Sequence, residues 1–414
     1  MAAGIHWTAL AALNIPSDGS DGVLVVTNNT VIDLSQAITG NWDTNNSANR
    51  GKGVYDPTKW AVVFKYSSVT IQGGATVTFN NHASRAPVVW LVQSNVTING
   101  TVSLDGQQWL IPPLLAEPGP GGFRGGAGNY AGGATEASGF GPGGGAIRIG
   151  RDAWANYFSG AGSYGSAGSG GGPTYGNPSL IPLIGGSGGG GSAPKGGGAG
   201  GGAILIASGG NLAISGTIRA NGGIAFDASA SHSGGGTGGG IRLVSESLTG
   251  NGTVQCLGGN GGNSNYDLSG GLGRIRIERG TNTGTLQITP DPSIVVLPGG
   301  ATPQIWLPTN GPTVRIVSIG GTPAPADPRA GFGAIGADTV LPRVTNTTVV
   351  VETTNVEQAS VVTVRATPRS DGNFTEATAA VTQVVSQDPL VVRWTANVAV
   401  KDGYAAIQVK VVRP

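Results

Sequence analysis

The chain has 414 residues, 76 of them glycine, 25 proline and 8 tryptophan, with 11% charged residues and a formal net charge of +1. A near-neutral chain without a basic run has no means of neutralising phosphates, which argues against nucleic-acid partners, and no apolar run approaches the ~18 residues of a membrane span. Glycine far above the usual ~7% without a three-residue repeat is a mark of disorder, but 38% hydrophobic residues in recurring strand patterns point to an ordered body.

Residues 1–60 open with an apolar stretch, Ile5 to Ile15, and two short strand patterns, Val23 to Val26 and Thr30 to Leu34. We read this segment as an N-terminal cap with a strand pair, plugged by Trp7 or Trp42, because a stack of repeats needs an atypical end unit. Met1 to Trp7 lacks a basic segment followed by an apolar one, so the expectation is synthesis in a cytoplasm without ordinary secretion, or a trimmed signal peptide.

From Trp60 to Gln107 the strand pattern is densest, with Ala61-Val62-Val63-Phe64, Val69-Thr70-Ile71, Val88 to Val92 and Val96-Thr97-Ile98. Here a phrase begins to recur: an apolar triad, a polar turn, then Gly-Thr-aliphatic-x-apolar or small. It reads Trp90-Leu91-Val92 with Gly100-Thr101-Val102-Ser103-Leu104, Ile204-Leu205-Ile206 with Gly216-Thr217-Ile218-Arg219-Ala220, and Leu243-Val244 with Gly252-Thr253-Val254-Gln255-Cys256. Weaker copies stand at Ala75 to Phe79 and Gly284 to Ile288, so successive spacings are 25, 116, 36 and 32 residues. Inside each copy the apolar residues alternate with period two, which makes half-buried strands. Each strand has too little to bury alone and needs its equivalent stacked ~4.8 Å away. The expected fold is therefore all-β: a right-handed parallel β-helix over 61–290, with Val102, Ile218 and Val254 in one internal ladder. Cys256, the only cysteine, falls in the slot of Leu104 and Ala220 and should be a buried small residue. One cysteine excludes an intrachain disulfide and a cysteine-based metal site.

Two glycine-rich runs interrupt the repeat: 13 glycines in residues 119–145 and 12 in residues 185–202. They fit either flexible loops or extended, polyglycine II-like segments packed side by side, with three residues per turn and all hydrogen bonds made to neighbours. The chain re-enters the strand pattern at Gly143-Gly144-Gly145-Ala146-Ile147-Arg148-Ile149 and at Gly200 to Ile204, which favours ordered packing. Residues 291–312 read as a proline-rich linker. Residues 313–414 carry alternating strands parted by turn clusters, at the spacing of an immunoglobulin-like β-sandwich without its cysteine pair.

Chemistry is sparse. Acidic residues in the body (Asp105, Glu117, Glu136, Asp152, Asp227, Glu246, Asp267, Glu278) do not recur at equivalent positions of successive copies, where stacking would unite them. Asp105 and Glu246 are the best available pair for glycoside chemistry. His6, His82 and His232 are scattered, and the many G-x-G-x-x-G matches lack a βαβ unit around them. Asn-x-Ser/Thr triplets such as Asn95-Val96-Thr97 suit turns and strand edges as well as glycan attachment. The expectation is a protein that is not an enzyme and has no cofactor or metal.

Recognition remains. Phe123, Tyr130, Phe140, Tyr164 and Tyr175 stand in glycine-rich surroundings, where they either offer flat faces to a ligand or pack over the strands. Through Trp60 to Phe64, Val96 to Val102 and the Gly-Gly-Gly-Ala-Ile-Arg-Ile re-entry, roughly residues 20–290 resemble the glycine-rich β-helical adhesins and fibre proteins of tailed bacteriophages and of some environmental bacteria. The resemblance is one of style rather than of a diagnostic motif. It implies a structural or receptor-binding virion component, a tail fibre, spike or capsid-attached fibre. Such a component would be a homo-oligomer, a trimer or fibre, contacting other virion proteins and a host surface glycan or protein. Two other readings stay open: a β-helical polysaccharide lyase or glycosidase, and a bacterial surface filament subunit.

Overall fold

A computed structural model describes residues 11–44, 50–110, 114–129, 136–151, 157–225, 232–263, 266–325, 337–369 and 372–414. Trp7 and Tyr130, named above, lie outside them. The protein is all-β, and among the described residues its one helical element is the short 3-10 turn Leu34–Gln36.

Two parallel sheets organise the first three hundred residues, and each copy of the phrase supplies one strand to each. In the larger sheet Ala61–Ile71, Val88–Val92, Ala203–Ile214, Gly240–Thr249, Arg274–Asn282 and Ser293–Val296 lie side by side. In the second the order is Thr30–Asp33, Thr76–Asn80, Thr101–Ser103, Thr217–Arg219, Thr253–Gln255 and Gln287–Thr289. In the second sheet the register follows the phrase, whereas in the larger sheet Trp90 pairs with Ile206 rather than Ile204, so the apolar triads are offset by two residues. Val62, Val88, Ile204, Ile241 and Ile275 are successive partners across the larger sheet, and Val77, Val102, Ile218, Val254 and Ile288 across the second. All but the half-buried Ile288 are buried, and both rows join one hydrophobic core. Thr101 pairs with Thr217, so a 116-residue excursion returns in register. Cys256 sits in this core with Leu104 and Ala220, and burial pushes its thiol pKa well above the ordinary value.

The larger sheet is covered on its other face too. Val63, Val89, Leu91, Leu205, Ala207 and Val244 pack against Leu13, Ile15 and Ile305. Burial on both faces explains why Val88–Val92 is apolar at every position rather than alternating. The covering strip combines the N-terminal segment with 297–306. Leu13 N donates to Gly209 O (2.9 Å), Asn14 N to Ala301 O (2.9 Å), and Trp42 meets Trp306 at 5.4 Å. Arg242, buried beneath it, pairs with Glu278 at 2.9 Å and donates to the carbonyl of Gln304 at 2.6 Å.

The expected boundaries shift accordingly. Val23–Val26 and Thr30–Asp33 do not pair with each other. The strand Gly22–Val26 adds in parallel to Ala61–Ile71, and Thr30–Asp33 to Thr76–Asn80. The linker reading of 291–312 yields to a last parallel strand, Ser293–Val296, followed by covering chain. Proline had argued against a strand there, but the prolines flank it, and an edge strand tolerates them.

The described parts of the glycine-rich runs are hydrogen-bonded to their neighbours and mostly buried. Their hydrogen bonds step by three. In residues 185–202, Gly186 and Gly189 donate to Gly201 and Gly198; Ser187 and Gly190 accept from Thr237 and Gly234; Gly188 and Gly191 donate to Phe140 and Ala137. A segment with three residues per turn presents successive residues to three different neighbours, which is the observed pattern. The same step recurs between 123–126 and 197–200 and between 256–259 and 270–273. Glycine is required by the spacing: a Cβ on Gly200 would lie 1.9 Å from the carbonyl oxygen of Gly186, and one on Gly223 1.8 Å from that of Gln107.

Residues 313–414 form two antiparallel sheets. One has the order Thr322–Pro323, Thr313–Ile319, Asn346–Thr354, Leu390–Ala399, Ala380–Gln387; the other has Thr375–Thr378, Val361–Pro368, Ala405–Val412. Their facing residues, among them Val351, Val364, Val392 and Trp394, share a second core. This unit docks on the glycine-rich array, where Ala137 bridges to Gly372, Ile147 N donates to Asn373 Oδ1 (2.7 Å) and Arg365 Nη1 donates to Gly141 O (3.0 Å).

Candidate recognition surface

Of the aromatic residues singled out in the sequence, the four that are described, Phe123, Phe140, Tyr164 and Tyr175, pack against the body. Tyr164 and Tyr175 are buried with ring centroids 4.6 Å apart; their hydroxyls donate to the carbonyls of Ile184 (2.9 Å) and Gly185 (2.6 Å). Desolvation raises both phenol pKa values, as expected for rings sealed from water. Phe140 is 4% exposed, and with the half-buried Phe123 it joins Leu115, Ala127 and Ala137 beneath Ala406 of the C-terminal unit. No ligand can stack on the three buried rings. The physical reason is volume: close-packed glycine backbones leave gaps where they meet a sheet, and a ring fills them.

Asp105 and Glu246 stand on different sheets. Asp105 follows Thr101–Ser103, accepts from Asn221 N at 2.8 Å and pairs with Arg219 at 2.9 Å, whereas Glu246 belongs to Gly240–Thr249. Among the described residues no group of three or more histidine, cysteine, aspartate or glutamate side chains could hold a metal, and no helix is long and apolar enough to cross a membrane.

A different set of aromatics gathers where the glycine-rich segments end. Phe158 lies 4.5 Å from Tyr266 and 5.6 Å from His232, centroid to centroid, with Phe158 and Tyr266 half-buried and His232 buried. Backbone bonds fix the trio: Ser159 N donates to His232 O (2.8 Å), and Tyr266 pairs with Asn263. Beside them the Ser192 hydroxyl donates to Tyr157 O (2.7 Å) and the Ser233 hydroxyl to Lys195 O (2.6 Å). Lys195 Nζ sits 3.9 Å above the Trp109 ring, and partial desolvation lowers its pKa. Trp109 N donates to the carbonyl of Ile224, whose side chain is 46% exposed. Arg148 stacks on Tyr157 at 4.8 Å and pairs with Glu136 at 3.1 Å.

This rim is a row of half-buried rings and cations on a backbone array that cannot shift without breaking bonds on three sides. Half-buried rings offer apolar area at small entropic cost, and the adjoining cations add directional contacts. Sequence reasoning passed over Trp109, Tyr157, Phe158 and Tyr266, which lie outside the glycine runs that drew attention, and over Lys195, which lies within residues 185–202.

No protein-family model, curated protein or solved structure matches this chain.

Proposed function

We propose that the protein is a non-enzymatic adhesive or structural component of a virion, a fibre or spike that presents the aromatic rim to a host surface. In this reading the parallel sheets form a right-handed β-helix, the glycine-rich segments are polyglycine II-like helices built onto it, and the C-terminal unit is an immunoglobulin-like sandwich. The in-register stacking from Gly22–Val26 to Ser293–Val296 supports the first of these, and the three-residue hydrogen-bond step the second. Two facing antiparallel sheets with a buried tryptophan support the third.

The observation that carries the function is the rim itself: rings of Trp109, Phe158 and Tyr266, partly exposed, held at the end of an array in which a side chain has no room. Rigid aromatic anchors are what dominate protein recognition surfaces. The resemblance to phage adhesins supplies the virion setting, the oligomer and the host glycan or protein as ligand.

The test is binding of the labelled full chain to a panel of bacterial cells, read by flow cytometry. Trp109→Ala, Phe158→Ala and Tyr266→Ala should each weaken binding on the order of tenfold while leaving the melting temperature within a few degrees. Binding that survives all three changes together would remove the rim from recognition. Release of reducing ends from the bound cells' polysaccharide would move the protein to the enzyme class.

A further inference from the structure

A second site opens where two strands part, and none of its lining residues belongs to the rim. Thr76 and Val77 pair with Thr101 and Val102, and then the two chains part. Thr78, Phe79 and Asn80 stay with Val31, Ile32 and Asp33, while Ser103 stays with Arg219; Leu104 N and Gly106 N then donate to the carbonyls of Arg219 and Asn221 (both 2.8 Å). The fork is a cleft of about 610 Å³, with Thr78, Phe79 and Asn80 on one side and Ser103, Asp105 and Gln107 on the other. Residues 117–120 close its far wall.

The walls are tied together. Asn81 Nδ2 donates to Pro118 O (2.8 Å), Gln107 N to Glu117 O (2.9 Å), Glu117 N to Gln107 Oε1 (3.1 Å) and Gly121 N to Arg85 O (2.7 Å). The cleft is thus preformed, and its volume falls in the ~300–1,000 Å³ range of small-ligand sites.

Its chemistry selects the ligand. Arg85 and Arg124 both hold Glu117, with Arg85 Nη2 2.8 Å from Oε2, and Asp105 is held by Arg219. Each carboxylate in the wall is thus already paired with an arginine, and an ionised ligand would have to compete with an existing pair. What the wall offers instead is hydroxyl and amide groups (Thr78, Asn80, Ser103, Gln107) next to the Phe79 ring. Hydroxyls that both donate and accept, carried on a body with an apolar face, match such a lining. An extended peptide fits less well, because strand addition needs a long open edge and this fork is three residues deep on each side.

We propose that this cleft is a binding site for an uncharged saccharide unit, separate from the rim. The experiment is saturation-transfer NMR on the full chain with cellobiose, maltose and lactose, and with methyl glucuronide and a blocked Val-Thr-Val peptide as competitors. At least one neutral disaccharide should show transfer with millimolar affinity. Asn80→Ala should weaken it about threefold to tenfold, Asn80→Trp, which fills the mouth, should abolish it, and Phe158→Ala at the rim should leave it unchanged. Melting temperatures check that each variant is folded; Asn80 is exposed, so both of its substitutions are tolerable. No transfer from any of the three disaccharides at about 10 mM, transfer that persists in a folded Asn80→Trp variant, or preferential binding of the glucuronide or the peptide would each overturn the proposal. Cell binding through the rim can fail while this site holds, and the reverse, so the two readings are tested apart.

Discussion

Cys256 shows how one side chain records its place in the stack. It occupies the slot of Leu104 and Ala220, fully buried, with its Sγ 3.8 Å from the carbonyl of Arg274. Both the raised thiol pKa and the lack of access oppose reaction, since the thiolate is the nucleophile. Native protein should therefore react with a charged thiol reagent only through opening of the fold, orders of magnitude more slowly than protein in denaturant. Rapid stoichiometric labelling of the native chain would contradict the placement. Size matters at the same slot, because a Cβ on Gly273 would already lie 2.7 Å from the Cβ of Cys256. Cys256→Leu should accordingly cost about 1–3 kcal/mol by overpacking and Cys256→Ala less, as measured by denaturant unfolding.

At the scale of elements, sequence and structure agree where an alternation is complete and part where it is not. The row Val102–Ile218–Val254 was legible because each of these copies keeps apolar residues of period two beside a Gly-Thr turn, while the row Val88–Ile204–Ile241 was not, because a continuous apolar run such as Val88–Val92 carries no mark of register. The edge strands Gly22–Val26 and Ser293–Val296 were not assigned to the sheets. Their outward positions are also apolar, with Val23 60% and Val296 68% exposed, so nothing in their pattern names a partner. The rim aromatics were missed for a related reason: a glycine segment bonded to three neighbours has no hydrophobic period, and its ends carry no periodic mark. What such a segment does carry is intolerance of a side chain. Gly200→Ala and Gly188→Ala each place a Cβ 1.9 Å from a backbone oxygen and should destabilise by about 3 kcal/mol or more. Gly73→Ala, whose nearest neighbour would be 3.9 Å away, is the control and should be neutral or slightly stabilising. Equal effects at the three positions would mean that the array is looser than its hydrogen bonds indicate.

Taken whole, the molecule is a chain of rigid connections from the sheets to the rim, and its C-terminal unit is joined to the glycine-rich array by polar contacts of few residues. Arg365, its side chain 4% exposed, pairs with Glu376, lies 3.8 Å over Phe374 and donates to Gly141 O; Asn373 Oδ1 accepts from Ile147 N and from the Ser138 hydroxyl at 3.2 Å. Interfaces of this kind set whether two units unfold together, because each side has a core of its own. Loss of the Arg365 bond to a backbone carbonyl should cost about 1.5–3 kcal/mol, with a smaller loss from Asn373. Since the two residues share one contact region, their effects should not simply add. In calorimetry the unaltered chain should unfold with the two units coupled, and Arg365→Ala with Asn373→Ala should split the trace into two transitions. The separated lower transition should belong to residues 313–414, whose smaller core buries less surface, and hydrogen exchange would identify it by early loss of protection in Val361–Pro368 and Ala405–Val412. A double variant that still unfolds in one transition at the original temperature would show that apolar contact of Ala406 with Phe140 and its neighbours holds the units together without the polar clasp.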